Sequence, residues 1–136
     1  VKWKLLQKNS LQSKKKMRLW HEKLLNQLPR QQLLGQHRET AALRGKGWGK
    51  KRATVNYVFN YSPYKLYQYH LLVMGEMIAR GYHPDENWLE PSYRGLHCAK
   101  YEELAPCPQT SPIYPEHNQT YLNECLENLA SKGIIL

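Results

Sequence analysis

The sequence predicts an all-α protein, a single compact domain of three main helices joined by long connecting loops. Apolar residues recur at helical spacing in three separate segments. Each segment has a proline at or near its start and a glycine just after its end, which are common signals for helix boundaries. No β-hairpin is predicted, because no pair of alternating apolar runs flanks a short turn signal. At 136 residues the chain has room for one well-buried core.

The N-terminal part of the chain divides at Met17. Residues 1–16, VKWKLLQKNSLQSKKK, are basic and polar, and we expect a leader or arm outside a folded domain of residues 17–136. Their composition also fits a misassigned start, and we hypothesise that translation begins at Met17. The stretch that follows, MRLWHEKLLNQL, shows no clear period and is expected to be extended or turned.

The first helix is predicted over residues 29–44, with a proline in its first position and Gly45 as its stop. Its predicted buried stripe consists of Leu33, Leu34, His37 and Ala41. Glu39 is expected roughly opposite this stripe, on a polar face that it shares with Gln32 and Gln36.

Long connections separate the predicted helices. Residues 45–52, GKGWGKKR, are expected to form a flexible basic loop with an exposed Trp48, in which the glycines let the backbone approach a partner closely. Residues 53–61, ATVNYVFNY, fit either a short helix or a strand. Residues 82–112 are rich in proline, glycine and aromatic residues, and are expected to be loop with one short helix at most.

The second and third helices are predicted from similar boundary signals. Ser62 is the expected N-cap of the second helix, Pro63 is its first residue and Gly81 ends it. Its inward-facing side chains are predicted to be Leu66, Tyr69, His70, Val73, Met77 and Ile78. The third helix is predicted to start at Pro115 and to stop at Gly133. Its inward-facing side chains are predicted to be Leu122, Cys125, Leu126 and Leu129.

The net charge of +9 is distributed unevenly along the chain. Residues 1–52 hold 15 of the 20 Lys and Arg residues and 2 of the 11 acidic residues, which gives +13 there and −4 for the remainder. Such a separation indicates that an anionic polymer, with nucleic acid as the leading candidate, meets the N-terminal half. The alternative that the charge leaves open is a solvated basic surface with a basic arm.

Several familiar sites are excluded by their missing motifs. The sequence has no phosphate-binding GxxxxGK[ST], no GxGxxG, no GxSxG and no CxxC. No metal or cofactor is predicted, because the spacing of His97, Cys98, Cys107 and His117 matches no known ligand pattern. Packing or capping is the favoured role for His37, His70 and His83. Core positions are favoured over base stacking for Tyr57, Tyr61, Tyr64, Tyr67 and Tyr69.

Arg38 and Glu39 are the most informative pair. Glu39 is a lone carboxylate on a helix inside the segment of +13 net charge. Pairing with a neighbouring arginine is the usual fate of such a residue. The functional alternative is base excision, in which a carboxylate next to a phosphate-binding surface stabilises an oxocarbenium-like sugar and moves protons at the ribose.

An ordered set of motifs resembles the pyrimidine-dimer DNA glycosylase (phage endonuclease V-like) family. The motifs in this chain are MRLWH (17–21), LPRQQLLGQHRE (28–39), EMIARGY (76–82), YRG (93–95) and IYPEH (113–117). The likeness extends from Met17 to about Gly133. It implies an all-α fold of three main helices and a glycosylase/AP-lyase reaction without a cofactor.

The resemblance also implies a set of catalytic residues. The family's nucleophile is the α-amine of the mature N-terminus, which forms an imine at C1′ before β-elimination breaks the strand. The family's catalytic Glu falls on Glu39, the arginine before it on Arg38, and an N-terminal arginine on or beside Arg18. At the position of a further family arginine this chain has an alanine, and Arg44 is expected to substitute for that arginine. In a chain that starts at Met17, the nucleophile would be the α-amine of Met17 itself. The arginine that follows is expected to prevent removal of this methionine.

The expected partner is double-stranded, damaged DNA, bound by a monomer in the cytoplasm, at the nucleoid and not at a membrane. A reduced compartment also fits the three cysteines, which have no framework spacing. The expected DNA contacts are Arg18, Arg38, Arg44, Lys46, Lys50, Lys51 and Arg52, with Trp48 as a wedge between bases. Two alternatives stay open: a non-catalytic DNA-binding module with the same fold, and an enzyme acting on another small substrate.

Overall fold

A computed structural model of the chain describes residues 17–52 and 54–136. The three helices are α1 (Arg30–Arg44), α2 (Pro63–Ala79) and α3 (Gln119–Ser131), and short 3-10 turns lie at Glu22–Leu24, Asn56–Asn60 and Glu86–Leu89. No strand occurs within these two ranges, so the prediction of an all-α fold with three main helices is confirmed. The predicted arm of residues 1–16 lies outside the described residues. No helix in the described ranges is both long enough and apolar enough to cross a membrane.

One hydrophobic core joins the three helices to the N-terminal segment. Helices α1 and α2 pack directly on each other, and α3 closes the core from a third side. The buried apolar side chains contributed by these elements are Leu19, Trp20, Leu24, Leu25, Leu28, Leu33, Leu43, Leu66, Tyr69, Val73, Met77, Cys125 and Leu129. The N-terminal segment is therefore part of the core and not an appendage to it.

The N-terminal segment is extended and then turned, as predicted, and side chains from all three helices hold its backbone. The N–H of Trp20 donates to Gln36 Oε1 of α1 at 2.6 Å. Its carbonyl accepts from the hydroxyl of Tyr69 of α2 at 2.6 Å. The carbonyl of Leu19 accepts from the hydroxyl of Tyr121 of α3 at 2.5 Å. These bonds fix where the start of the domain lies relative to every helix.

The boundary predictions hold for α2 and fail at the start of α3. The Ser62 hydroxyl caps α2 by accepting from the N–H of Tyr64 at 3.1 Å, and a left-handed Gly81 (φ +87°) follows the helix. Helix α3 begins at Gln119, after the predicted Pro115, because the Asn118 side chain forms the N-cap. The residues just before it are held in a buried turn and cannot join the helix.

The buried face of α1 differs from the predicted stripe. Of the predicted residues only Leu33 is fully buried, while Leu34, His37 and Ala41 are half-buried. The buried residues are Leu33, Gln36, Thr40, Leu43 and Arg44. The three polar members of this face are buried because each makes hydrogen bonds there, which apolar periodicity does not register.

The buried face of α2 follows the prediction except at its C-terminal end. Five predicted residues are buried, but Ile78 is 54% exposed. Gln68 and Met74 are buried although they were not predicted to be. Gln68 compensates for its burial by donating from Nε2 to the carbonyl of Cys107 in the long loop, at 2.8 Å. The face of α2 that carries Gln68 is therefore covered by this loop.

Candidate active site

The centre of the candidate site is the carboxylate of Glu39, which faces the N-terminal segment. Glu39 Oε2 accepts from the backbone N–H of Arg18 at 3.3 Å and from Gln36 Nε2 at 3.4 Å. Gln36 Nε2 also donates to the carbonyl of Arg18 at 2.8 Å. Because Gln36 is only 1% exposed, it acts as a fixed clamp between the carboxylate and the N-terminal segment.

Glu39 does not lie on a polar face opposite the core, so that prediction is wrong. It lies at the edge of the buried face, one turn from Gln36, and is half-buried. Burial raises the pKa of the Glu39 carboxyl, while the bond from the Arg18 N–H and the charges of Lys132 and Arg38 act in the opposite direction. A carboxyl whose pKa is raised towards neutrality is suited to accept and return protons.

The backbone nitrogen that Glu39 contacts belongs to Arg18, one residue after Met17. Met17 itself is half-buried against the core, and its carbonyl accepts from the Thr54 hydroxyl. The structure therefore brings both predicted N-terminal residues to the predicted carboxylate. Sequence reasoning identified the three residues but not the atom that the carboxylate touches.

The side chain of Arg18 is held at the mouth of a small cavity of about 210 Å³. Its guanidinium carbon lies 5.9 Å from the centroid of the Trp20 ring and 5.8 Å from that of Tyr121. Its Nη1 lies 3.8 Å from a carboxylate oxygen of Glu124. The other residues around the cavity are Thr54, Tyr57 and Glu116. Arg18 thus contacts Glu39 through its backbone N–H, while its side chain is a partly covered cation between Trp20, Tyr121 and Glu124.

Five of the other predicted DNA contacts are exposed cations on α1 and the loop that follows it: Arg38, Lys46, Lys50, Lys51 and Arg52. None of them forms an ion pair with another residue of the described ranges, where the two ion pairs are Arg18–Glu124 and Arg80–Glu76. Their charges are therefore available to phosphates.

Trp48 does not have the predicted exposed position in this loop. It is half-buried and packs edge-on against Phe59, with ring centroids 5.0 Å apart. The ring of Trp48 packs against the core through Phe59. The composition of the surrounding basic loop does not indicate this contact. Insertion between bases would require Trp48 to leave this contact.

Arg44 was predicted to contact DNA, and that prediction is wrong. It is 4% exposed, and its guanidinium donates inward to four acceptors. Nη1 reaches the Trp88 carbonyl at 2.8 Å and His70 Nδ1 at 2.9 Å, and Nη2 reaches the carbonyls of Glu90 at 2.9 Å and Tyr93 at 3.2 Å. Burial lowers the pKa of Arg44 to about 10. Arg44 anchors the long loop to α1, and its buried guanidinium is not accessible to a phosphate.

His37 and His70 extend the contacts of Arg44 across the α1–α2 interface. A guanidinium can only donate, so His70 Nδ1 is an acceptor and His70 Nε2 carries the hydrogen that is donated to His37 Nδ1 at 2.8 Å. Burial lowers the pKa of both imidazoles, in agreement with two neutral rings. The prediction of a packing role is confirmed for these two histidines, whereas His83 is exposed.

His117 has a structural role that the sequence did not indicate. It is 2% exposed, and its Nδ1 accepts from the N–H of Glu22 at 3.3 Å while its Nε2 bonds the Tyr57 hydroxyl at 2.7 Å. No cluster of metal-ligating side chains occurs in the part of the chain that the structure describes. Burial, with a smaller contribution from His21, lowers the pKa of His117 to about 3.

Acidification is expected to destabilise the protein through His117. The unfolded imidazole titrates near 6.5 and the folded one near 3, so the unfolded state binds more protons between these values. The stabilisation is complete above about pH 6.5 and is lost as the pH falls, by about 2 kcal/mol at pH 5. Urea unfolding at pH 7 and pH 5, compared with His117→Gln, isolates this contribution from that of the carboxyl groups. Equal pH dependence in the two proteins would contradict the expected role.

Taken together, the fold and the site define a class: a small helical protein with a half-buried carboxylate at its N-terminal segment and exposed cations on α1 and the loop that follows it. Residues 17–90 match the family model described as pyrimidine dimer DNA glycosylase. This match spans more than half of the chain, and the chain belongs to the pyrimidine dimer DNA glycosylase family. The family resemblance inferred from the sequence is thereby confirmed, and its DNA glycosylase-like role implies a DNA substrate. Comparisons with curated proteins and with solved structures gave no significant match.

Proposed function

We propose that the protein is a pyrimidine-dimer DNA glycosylase and AP lyase, which removes a damaged pyrimidine from double-stranded DNA and then breaks the strand. The observation that carries this proposal is the contact between the Glu39 carboxylate and the backbone nitrogen of Arg18. In a family whose nucleophile is an N-terminal amine, this is where a carboxylate is needed. The exposed cations of α1 and the following loop support binding of the phosphate backbone.

In the proposed reaction, the lone pair of the N-terminal amine attacks C1′ as the bond from C1′ to the base breaks. Loss of the amine protons and opening of the sugar ring give an imine. Removal of a C2′ proton then expels the 3′ phosphate, and water hydrolyses the imine to release the protein. Glu39 stabilises the positive charge that develops on the sugar and carries protons between these steps.

The nucleophile must be unprotonated, and an α-amine meets this requirement more readily than a lysine, with a reference pKa of about 8 against about 10.4. We assign this role to the α-amine of Met17 in a chain that begins there. Glu39 contacts the next nitrogen along the chain, that of Arg18. A chain beginning at Arg18 is therefore the matched comparison, because it places the free amine directly on the carboxylate.

Covalent trapping tests this mechanism. Chains starting at Met17 and at Arg18, together with the 136-residue chain, are incubated with UV-irradiated or abasic duplex DNA and borohydride. The Met17-start chain is expected to give a covalent adduct, which mass spectrometry assigns to its N-terminal peptide. Failure of every form to give an adduct or a nick would refute the lyase mechanism.

A second candidate function is a non-catalytic DNA-binding module with the same fold. The exposed cations of α1 and the following loop support it as well, because they can bind phosphates whether or not Glu39 takes part in a reaction. Such a module would show salt-dependent binding and no nicking. The same trapping experiment separates the two functions.

A further inference from the structure

We propose that Lys132, the C-cap residue that follows α3, is a further DNA-binding residue of the site and contacts a phosphate of the strand bound over Trp20 and Glu39. This inference rests on the proposed function in one respect, namely that DNA lies over Glu39. It adds α3 to an interface that the charge pattern of the sequence assigned to residues 1–52 alone. It also lies outside residues 17–90, which the family model matches.

The position of Lys132 connects it to the carboxylate through Trp20. Lys132 Nζ lies 5.2 Å from the centroid of the Trp20 ring. The backbone of Trp20 is bonded to Gln36, and Gln36 in turn donates to Glu39. The guanidinium of Arg18 approaches the same indole ring at 5.9 Å. Two cations from opposite ends of the chain thus meet at one ring beside the catalytic carboxylate.

The backbone that carries Lys132 is tightly defined. Its N–H donates to the carbonyl of Leu129 at 2.9 Å, and Gly133 (φ +82°) then reverses the chain. The N–H of Ile134 returns to the same carbonyl at 3.0 Å, and its side chain packs on the core. The lysine therefore projects from a fixed turn, and the ammonium is directed by the aromatic face below it.

The charge of Lys132 is not neutralised by a close carboxylate. Within residues 17–52 and 54–136 no acidic side chain lies within 4 Å of its ammonium, since the two ion pairs there are Arg18–Glu124 and Arg80–Glu76. Lys132 is exposed, so a phosphate can approach it. An accessible cation at the rim of a carboxylate site meets the requirement for holding the DNA backbone there.

A purely structural role for Lys132 is the competing explanation, since a cation at a helix C-terminus is favourable in itself. The two roles differ in the salt dependence of DNA binding, which a cation that only stabilises the helix terminus does not change. Both roles allow the charge of Lys132 to act on Glu39. The charged groups that act on Glu39 are Arg38 from α1 and Lys132 at the end of α3, while Arg18 of the N-terminal segment contributes its backbone N–H. The charge of Lys132 lowers the pKa of Glu39, so removing it should move the acidic limb of a Glu39-dependent rate to higher pH.

The test uses the full chain and a short duplex containing an abasic-site analogue, with binding measured across a series of KCl concentrations. Lys132→Ala is expected to weaken binding several-fold and to reduce the slope of log K against log salt by about 0.9, which corresponds to one phosphate contact. Lys132→Arg should restore both values because it keeps the charge. Lys100→Ala removes an exposed lysine on the long loop and should leave both unchanged.

An unchanged slope in Lys132→Ala, or no recovery in Lys132→Arg, would overturn the proposal. Lys132→Gln serves as the second variant if the alanine protein does not fold, which far-ultraviolet circular dichroism reports. The outcome is separable from that of the proposed function. A wild-type chain that binds but never nicks contradicts the lyase and still yields the slope, whereas a chain that nicks with an unaltered Lys132→Ala slope contradicts this inference alone.

Discussion

Replacing Glu39 with glutamine in the Met17-start chain is expected to reduce nicking of abasic or UV-irradiated duplex by a factor of about 10²–10⁴, the usual contribution of a positioned acid–base group. Glutamine keeps the shape of the side chain and can still accept from the N–H of Arg18. It can neither carry a proton nor stabilise positive charge on the sugar. DNA binding should persist, because the exposed cations around the site are untouched.

Glu124→Gln is the matched control for this experiment. Glu124 is also near Arg18, but its side chain is 61% exposed and its contact is a 3.8 Å ion pair. Pairs of this kind contribute little, so the change in rate should stay below a factor of about ten. Initial rates of gel-resolved nicking at saturating protein provide the measurement. Equal activity of Glu39→Gln and wild type would refute the role assigned to Glu39.

Replacing Arg44 with alanine is expected to lower the free energy of unfolding by about 3–5 kcal/mol, because several buried acceptors lose their donor at a cost of about 1–3 kcal/mol each. The substitution strands three backbone carbonyls and His70 Nδ1 without their donor. It also leaves a cavity where the guanidinium faced the Trp88 ring at 5.0 Å. Arg44→Lys should recover part of the loss at most, because an ammonium cannot reproduce the planar fork.

Lys46→Ala is the control for Arg44, since Lys46 is an exposed cation two residues further along. Its loss should change stability by less than about 0.5 kcal/mol. The two variants should also differ in DNA binding, where Lys46→Ala lowers the salt dependence and a folded Arg44→Lys does not. Urea unfolding and salt titration measure the two properties. If the Arg44→Ala protein had wild-type stability but weakened DNA binding, the structural role would be contradicted and Arg44 would be a DNA contact.

The helix boundaries were predictable where the signal is local. Ser62 and Gly81 marked the ends of α2 because a hydroxyl cap and a left-handed glycine act within a few residues. The start of α3 was missed because two local signals compete there. Proline at position 115 favours a helix start, but the Asn118 cap determines it once the preceding turn is buried in the core.

The sequence proposes members of the candidate site but does not predict the contacts between them. Glu39 and Arg18 were identified from family motifs, whereas the clamp formed by Gln36 depends on a backbone that approaches α1 from 16 residues away. Arg44 was misassigned because it was taken to substitute for a family arginine from its nearness in sequence, which does not report whether the side chain is buried. The three carbonyls that accept from it lie 44–49 residues further along the chain, and no local pattern predicts these contacts.

Side chains of all three helices form hydrogen bonds with the peptide groups of the N-terminal segment, at Leu19 and Trp20. Because these bonds involve only backbone groups of the segment, they fix which of its residues lies opposite each helix. Adding or removing a residue ahead of Leu19 therefore changes which nitrogen is free without moving the nitrogen that Glu39 contacts. The length of the chain before these bonds, counted in single residues, therefore decides how far a free α-amine lies from the carboxylate.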